Sequence, residues 1–158
     1  MSKSATVITE EKEWHINFKI WDTAGQEKYR SLAPMYYRGS SAAILVYDIT
    51  KRDSFDALRD WAEELKSNGP PGIVVCVCGN KSDLQQYRTV DRSTAESYAN
   101  KIGALYIETS AKKGDGVENV FFEVAKRVPP PINIGDECLE EDVGLDLGAQ
   151  HSTNSSCC

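Results

Sequence analysis

Apolar and polar residues alternate along residues 15–21, where every second position from Ile16 to Ile20 is apolar. A period of two places these apolar side chains on one face of a half-buried β-strand. The polar turn at residues 10–13 predicts that this strand pairs with residues 6–9. We therefore expect a two-stranded hairpin in this part of the chain.

Two further segments, residues 42–48 and 73–79, are almost continuously apolar. Such runs are typical of central parallel strands that are covered on both faces. Between them, residues 54–66 are predicted to form a helix, because apolar residues recur there with helical spacing: Phe55, Leu58, Trp61, Ala62 and Leu65. The Gly-Pro-Pro-Gly run at residues 69–72 ends that helix.

The same alternation of strand and helix continues. A helix is predicted at residues 93–101 with Gly103 as its stop, then a short strand at 105–108, then a helix at 117–128 that ends at three prolines. This order predicts an α/β fold with an open, mostly parallel sheet and helices on both faces.

Composition and charge narrow the class of protein. The chain has 158 residues, 41% of them hydrophobic and 27% charged, as expected for one globular domain. Its net charge of -6 arises at the end, since residues 129–158 contain six acidic residues and no Lys or Arg. That segment has no aromatic residues and is predicted to be a disordered tail. No basic stripe is present, which argues against a nucleic-acid partner.

The cysteines and apolar runs favour a reduced, cytosolic setting. The first residues contain no apolar core of a secretory signal, and the apolar runs are far shorter than a membrane span. Cys76 and Cys78 are two residues apart in an apolar strand, so both are expected on one face as ordinary core residues.

The first chemical motif is Trp-Asp-Thr-Ala-Gly-Gln-Glu at residues 21–27, directly after the alternating strand. Asp22 at a strand end is placed to hold Mg²⁺ through a water. Gly25 lets a backbone N–H approach a phosphate oxygen, and Gln26 can orient an attacking water as the catalytic residue. A plain Asp/Gly turn is the alternative for a shorter match, but the complete run is much more specific.

The second motif is Gly-Asn-Lys-Ser-Asp at residues 79–83. The Asp83 carboxylate can accept two hydrogen bonds from guanine, at N1–H and the 2-amino group, and would reject adenine, which offers neither. Asn80 can tie loops together and reach the base, and the Lys81 stem can lie along the purine face. By itself this pattern also fits a polar turn.

The third motif is Glu-Thr-Ser-Ala-Lys at residues 108–112, at the end of the short strand. Backbone N–H groups of Ser110, Ala111 and Lys112 can donate to guanine O6. Alone the motif carries little information. Three strand ends in order, at the edge where open α/β sheets bind ligands, together indicate a site for GTP or GDP with Mg²⁺.

Over residues 1–128 the chain resembles the Rab family of small GTPases in the Ras superfamily. The resemblance rests on the three motifs and on Tyr-Tyr-Arg-Gly-Ser at residues 36–40, while residues 32–39 and 69–75 are similar to early-endosomal Rabs. It implies a P-loop NTPase-like small GTPase fold, with a second switch at residues 26–37.

The resemblance also assigns Trp21 and Tyr36 to an aromatic cluster that presents the switch to effectors, although ordinary packing is the alternative. It implies three kinds of protein partner of Rab type: effectors, exchange factors and GTPase-activating proteins. The function implied is a GTP/GDP switch in endosomal vesicle traffic. The alternative is a catalytically inactive GTPase-like fragment that binds Rab partners through residues 26–40 and the tail.

One family element is not found. The family's phosphate loop reads G-x-x-x-x-G-K-[ST], and neither Gly-Lys-Ser nor Gly-Lys-Thr occurs in this sequence. We therefore expect a partial domain that lacks the first central strand, the first helix and the first switch, with the missing strand between those ending at Asp22 and near Asp48. The expected explanations are a truncated gene model or fragment, a short isoform or a degenerate relative. Such a chain is predicted to be unstable alone and to bind GTP weakly or not at all.

The chain ends in Cys157 and Cys158, the family's signal for two geranylgeranyl groups. Two prenyl chains anchor a protein stably without a basic patch. The resemblance thus implies the prenylation escort machinery as a partner, and residence on the cytosolic face of endosomal membranes with a cytosolic pool. For an arbitrary disordered tail, chance would be the simpler explanation.

Overall fold

The computed structural model describes residues 2–8, 13–22 and 33–129. Strands β1 (Ser2–Ile8) and β2 (Glu13–Lys19) form a two-stranded antiparallel sheet, which confirms the predicted hairpin. The predicted bounds were partly wrong: β1 begins at Ser2 and not at residue 6, and β2 covers Glu13–Lys19 and not residues 15–21. The backbone pairing from Ser2↔Lys19 to Ile8↔Glu13 includes polar residues in which no apolar alternation is visible. Ile16 and Phe18 are half-buried, whereas Asn17 and Lys19 are exposed, as the alternation predicts.

A second sheet contains three parallel strands in the order β3 (Ala42–Asp48), β4 (Val74–Asn80) and β5 (Leu105–Thr109). The register aligns Asp48 with Asn80, and Asn80 with Thr109, so the three carboxyl ends form one edge. In the part of the chain that the structure describes, β2 and β3 are not hydrogen-bonded neighbours. A missing strand between them stays a prediction.

Within the described ranges, four α-helices pack around the larger sheet: α1 (Ala33–Tyr37), α2 (Arg52–Asn68), α3 (Arg92–Lys101) and α4 (Val117–Arg127). One face is covered by α2 and α3, whose buried apolar side chains pack with Tyr47 and Val77. The opposite face is covered by α4 through Val120 and Val124. The predicted α/β fold with helices on both faces is therefore confirmed. No helix within the described ranges is both long and apolar enough to cross a membrane.

Cys76 and Cys78 lie on one face of β4 and are buried beneath α4, as predicted. Their Sγ atoms are 3.8 Å apart and both thiols are free. Burial and the neighbouring sulfur give these residues a packing role. They belong to the core and not to the carboxyl edge of the sheet.

Two short elements escaped the sequence patterns. Helix α1 has five residues, and a 3-10 helix spans Ser82–Tyr87. Neither is long enough for an apolar period to become visible. Helix α1 is held by Tyr37, which is buried against Leu65 and donates a hydrogen bond to Glu64 Oε1 over 3.1 Å. Tertiary contact, not local periodicity, decides this element.

Candidate functional site

The candidate site lies at the carboxyl edge of the three-stranded sheet. Because parallel strands end together, the segments that follow β3, β4 and β5 meet there, which is the usual ligand position in open α/β folds. This edge collects six of the predicted residues: Asn80, Lys81, Asp83, Ser110, Ala111 and Lys112. The fold thus brings the second and third motifs into one place.

Besides the backbone pairing of β4 with β5, three hydrogen bonds that involve side chains join these two motifs, and we call these three the base-side contacts. Ser110 Oγ donates to Asp83 Oδ1 over 2.6 Å. Asn80 Oδ1 accepts from Thr109 Oγ1 over 3.3 Å and from the Ala111 N–H over 3.0 Å. Ser110 is fully buried, so the packing around it restricts the position of its hydroxyl group. The base-side contacts hold the Asp83 carboxylate at a defined point beside β5.

Electrostatics keep Asp83 ionised. The hydrogen bond from Ser110 lowers the pKa of Asp83, burial opposes this only in part, and the charges of Lys112 and Lys113 lower the pKa further. Each carboxylate oxygen has two lone pairs, so Oδ1 can accept from a ligand while it accepts from Ser110. Asp83 is therefore an acceptor for a pair of donors.

The backbone donors of the third motif differ from expectation. The Ser110 N–H donates to the Asp115 carbonyl over 2.9 Å, and the Ala111 N–H donates to Asn80. Within the described residues, the Lys112 N–H has no backbone acceptor. Of these three N–H groups, that of Lys112 is therefore the one most accessible to a further acceptor, and that of Ala111 could serve only if it were shared with Asn80. The sequence pattern did not distinguish these three donors.

Asp48, at the end of β3, contacts one of the six predicted residues at this edge and was not singled out by the sequence patterns. Its Oδ2 lies 2.6 Å from Lys81 Nζ, and its Oδ1 accepts from the Thr50 N–H and Oγ1 over 2.9 and 2.7 Å. Burial raises the pKa of Asp48, but the Lys81 and Thr50 hydrogen bonds outweigh it and bring the pKa to about 2. The sequence did contain a signal for Asp48, since it is the acidic residue at the end of the apolar run at residues 42–48.

A second missed group, the ion-pair cluster, consists of Tyr47, Arg88, Tyr106 and Glu108. Arg88 donates to both carboxylate oxygens of Glu108, over 2.8 and 3.0 Å. The Tyr106 hydroxyl donates to Glu108 Oε1 over 2.8 Å and lies 3.2 Å from the Tyr47 hydroxyl. Since Tyr106 uses its only proton on Glu108, Tyr47 donates to Tyr106.

The ion-pair cluster is charged although it is largely enclosed. The side chains of Arg88 and Glu108 are 14% and 15% exposed. Burial raises the pKa of Glu108, but the hydrogen bonds from Arg88 and Tyr106 are stronger in sum and leave it below its ordinary value. The cluster therefore joins the segment after the 3-10 helix to β5 as a permanent ion pair.

Gly116 makes room at the same edge. A Cβ at this position would lie 2.4 Å from the Glu108 carbonyl oxygen, and its φ of 73° belongs to the left-handed region. Both features require glycine. The residue that precedes α4 can thus approach the backbone of β5 closely.

The first motif is placed differently. Asp22 is exposed and follows β2, so it belongs to the two-stranded sheet and not to the larger one. Trp21 is 70% exposed, and for Tyr36 only the backbone, in α1, is described. Gly25, Gln26, Cys157 and Cys158 lie outside the described residues. The described ranges contain no group of three or more His, Cys, Asp or Glu residues that could hold a metal ion.

Comparison with known proteins gives a consistent result. Residues 2–130 match the sequence model of the Ras family. The chain is 48% identical to the Ras-related protein Rab-31 of Mus musculus over 142 residues, which cover 89% of this chain and 71% of that protein.

Two further relatives are similar to this degree. The identity to the Ras-related protein Rab-22A of Mus musculus is 54% over 112 residues, or 71% of this chain and 58% of that protein. The identity to the Ras-related protein Rab5 of Nicotiana tabacum is 47% over 146 residues, or 90% of this chain and 70% of that protein. The matched region therefore spans between 58% and 71% of these relatives' lengths.

Proposed function

We propose that this chain, which belongs to the Ras family and is a Rab-like small GTPase by its similarity to Rab proteins, is a guanine-nucleotide switch. The carboxyl edge of its three-stranded sheet would bind the base of GTP or GDP. The observation that carries this proposal is the ionised Asp83 carboxylate, held 2.6 Å from the Ser110 hydroxyl. An acceptor fixed in this way suits the N1–H and 2-amino donors of guanine.

Selectivity follows from the cost of unpaired polar groups. Adenine presents an acceptor at N1 and has no 2-amino group, so it would leave Asp83 without partners and place two acceptors against each other. Sites built on paired hydrogen bonds reject such analogues strongly. Lys112, whose N–H has no backbone acceptor in the described ranges, is the donor proposed for guanine O6.

For the phosphates and Mg²⁺ the proposal rests on the first motif. One exposed carboxylate such as Asp22 fits Mg²⁺, which keeps several of its waters and takes other ligands from phosphate oxygens. Gly25 would approach the γ-phosphate, and Gln26 would orient the water that attacks it. No Gly-Lys-Ser or Gly-Lys-Thr occurs in the sequence, so we expect this chain to bind GDP no more tightly than about 1 µM.

For partners and location we propose effectors, exchange factors and GTPase-activating proteins of Rab type. We assign residues 1–128 to the nucleotide-binding domain and 129–158 to a tail that carries geranylgeranyl groups on Cys157 and Cys158. Endosomal membranes are the proposed location, on the strength of the similarity to Rab-31, Rab-22A and Rab5. The comparisons do not favour the inactive interaction module.

Titration with labelled nucleotides tests the base site. The wild-type chain should bind GDP at least about a hundredfold more tightly than ADP or xanthosine diphosphate. Asp83→Asn should bind xanthosine diphosphate more tightly than GDP, because xanthine carries a carbonyl at position 2 and an asparagine amide can donate to it. Asp56→Asn, at an exposed carboxylate of α2, is the charge-matched control and should change nothing. Equal binding of GDP and ADP by the wild type would refute the proposal.

A further inference from the structure

Lys81 is held at its backbone in an unusual conformation. Its φ of 68° and ψ of 38° lie in the left-handed region, and no other non-glycine residue of the described ranges has a positive φ. This region costs a residue with a side chain about 1 kcal/mol or more, so surrounding contacts must maintain it. One such contact is the Leu84 N–H, which donates to the Lys81 carbonyl over 2.8 Å. The direction in which the Lys81 side chain leaves the loop is thus set by the fold.

The far end of the Lys81 side chain is also held. Its Nζ lies 2.6 Å from Oδ2 of Asp48, whose side chain is only 12% exposed. Both Thr50 donors occupy Oδ1, and the Asp48 N–H is bonded to Ser54 Oγ over 3.0 Å. Each oxygen of Asp48 therefore has its own partner, and the carboxylate cannot rotate without breaking several bonds.

Lys81 and Asp83 leave the same loop toward opposite neighbours. Lys81 reaches the end of β3 through Asp48, whereas Asp83 is tied to the segment after β5 through Ser110. The Lys81 side chain remains 47% exposed although its ammonium group is paired, so about half of its surface is accessible to a ligand. An accessible alkyl stem can cover a flat apolar surface while its charged head stays solvated or paired. The contacts with Asp48 and Ser110 thus hold the Lys81 stem and the Asp83 carboxylate apart. The stem is suited to the face of a base, and the carboxylate to its edge.

We propose that Asp48 is a positioning residue of the guanine site, which fixes Lys81 so that its stem lies against the face of the base. This inference rests on the proposed function and adds to it a residue from a third strand. Asp48 acts through Lys81 and does not itself touch the nucleotide. Its removal should therefore matter only while Lys81 has an ammonium group to be held.

The test is a cycle of variants in the full chain, with fluorescent GDP as the probe. Asp48→Asn keeps the side-chain volume and an acceptor for Thr50, but it removes the charge that holds Lys81. We expect it to weaken GDP binding about tenfold in the wild-type background. In a Lys81→Met background, which keeps the stem and lacks the ammonium group, the same change should have an effect below about twofold. Asp56→Asn removes an equal charge from α2 and should leave GDP binding unchanged.

Equal weakening by Asp48→Asn in both backgrounds would overturn the proposal, because Asp48 would then act through the general fold. A second measurement needs no nucleotide. The ¹⁵N NMR signal of the Lys81 ammonium group should be protected from exchange in the wild type and lost in Asp48→Asn. An unchanged signal overturns the proposal. If the wild type binds no GDP, the proposed function fails, and the ammonium signal still decides whether Asp48 fixes Lys81.

Discussion

The base-side contacts and the ion-pair cluster both connect the segment after β4 to β5 or to the residues that follow it, and the cluster also includes Tyr47 of β3, yet they differ in how their polar groups are used. In the ion-pair cluster, Glu108 accepts from Arg88 on both oxygens and from Tyr106 as well, so its binding capacity is spent inside the protein. In the base-side contacts, Asp83 gives one oxygen to Ser110 and keeps accepting capacity for a ligand. The ion-pair cluster holds the loops in place, whereas the base-side contacts keep the acceptor that we propose for the base.

This difference teaches that an intact motif and a rigid site are separate properties. Recognition of the base is proposed for the motif residues Asn80, Asp83 and Ser110. Arg88 and Tyr47 lie outside the motifs. Arg88 connects β5 to the segment after β4, and Tyr47 connects β5 to β3 through Tyr106. Variants in the two sets should therefore separate stability from nucleotide selectivity.

The largest loss of stability should come from Gly116→Ala, which introduces a clash with the backbone of β5, the strand to which both sets of contacts are attached. The new Cβ would lie 2.4 Å from the Glu108 carbonyl oxygen in a left-handed backbone. Because the Glu108 oxygen belongs to the backbone, it cannot move aside as the end of a flexible side chain could. We therefore expect the free energy of unfolding to fall by about 3 kcal/mol or more. Urea unfolding measures it. Gly114→Ala is the matched control, since its φ is also positive but no atom lies within 4 Å of the added Cβ. Equal losses for the two variants would show that the close approach to β5 is unimportant.

The next largest effect should come from Glu108→Gln, which breaks the ion-pair cluster alone. Arg88, only 14% exposed, would lose its ionic partner, and we expect a loss of about 2 kcal/mol in unfolding free energy. Tyr106→Phe removes two hydrogen bonds, the one that Tyr106 donates to Glu108 and the one that it accepts from Tyr47, but no charge, and should cost about 1.5 kcal/mol. In both variants the preference for GDP over ADP should persist, as measured by nucleotide titration of the folded protein. Loss of this preference with unchanged stability would reverse the roles given to the two sets.

Acidic pH should weaken the Asp48 contact by a smaller amount. The folded-state pKa of about 2 is below the ordinary 3.8, so the folded chain binds fewer protons than the unfolded chain between these values. The stabilisation is therefore complete above the ordinary pKa and is lost as pH falls through 3.8 toward about 2. Since Lys81 is 47% exposed, solvent screening limits the contribution to about 1 kcal/mol.

Unfolding free energies of the wild type and Asp48→Asn, measured from pH 7 to pH 2.5, isolate this term, because the other carboxylates titrate in both proteins. The difference between the two curves should shrink as the pH is lowered. A constant difference over the whole range would mean that the Asp48 charge does not stabilise the fold.

The smallest effect should follow from Thr109→Val in the base-side contacts. The Thr109 hydroxyl donates to Asn80 over 3.3 Å, a long hydrogen bond, and valine has nearly the same shape. We expect a change of about 0.5 kcal/mol in unfolding free energy and a modest loss of GDP affinity. A loss as large as that of Glu108→Gln would contradict the division into a holding set and a binding set.

The main elements were accessible from the sequence because their patterns are local. The apolar run at residues 42–48 predicted β3 at its observed bounds, Ala42–Asp48, and the stripe of α2 recurs as four buried residues, Phe55, Leu58, Ala62 and Leu65. The motifs also fall at strand ends as their order suggested. Helix α1 and the 3-10 helix were missed, because a period cannot be read from five or six residues.

The sequence by itself determined the fold class, the family and the residue types suited to a guanine base, since each depends on short-range order or on a contiguous motif. Only the tertiary structure decided which of these residues are held, and by what. Arg88 and Glu108, like Asp48 and Lys81, are far apart along the chain and meet only because β3, β4 and β5 end at one edge. Pairings of that kind depend on strand order and register, which no local pattern of residues specifies.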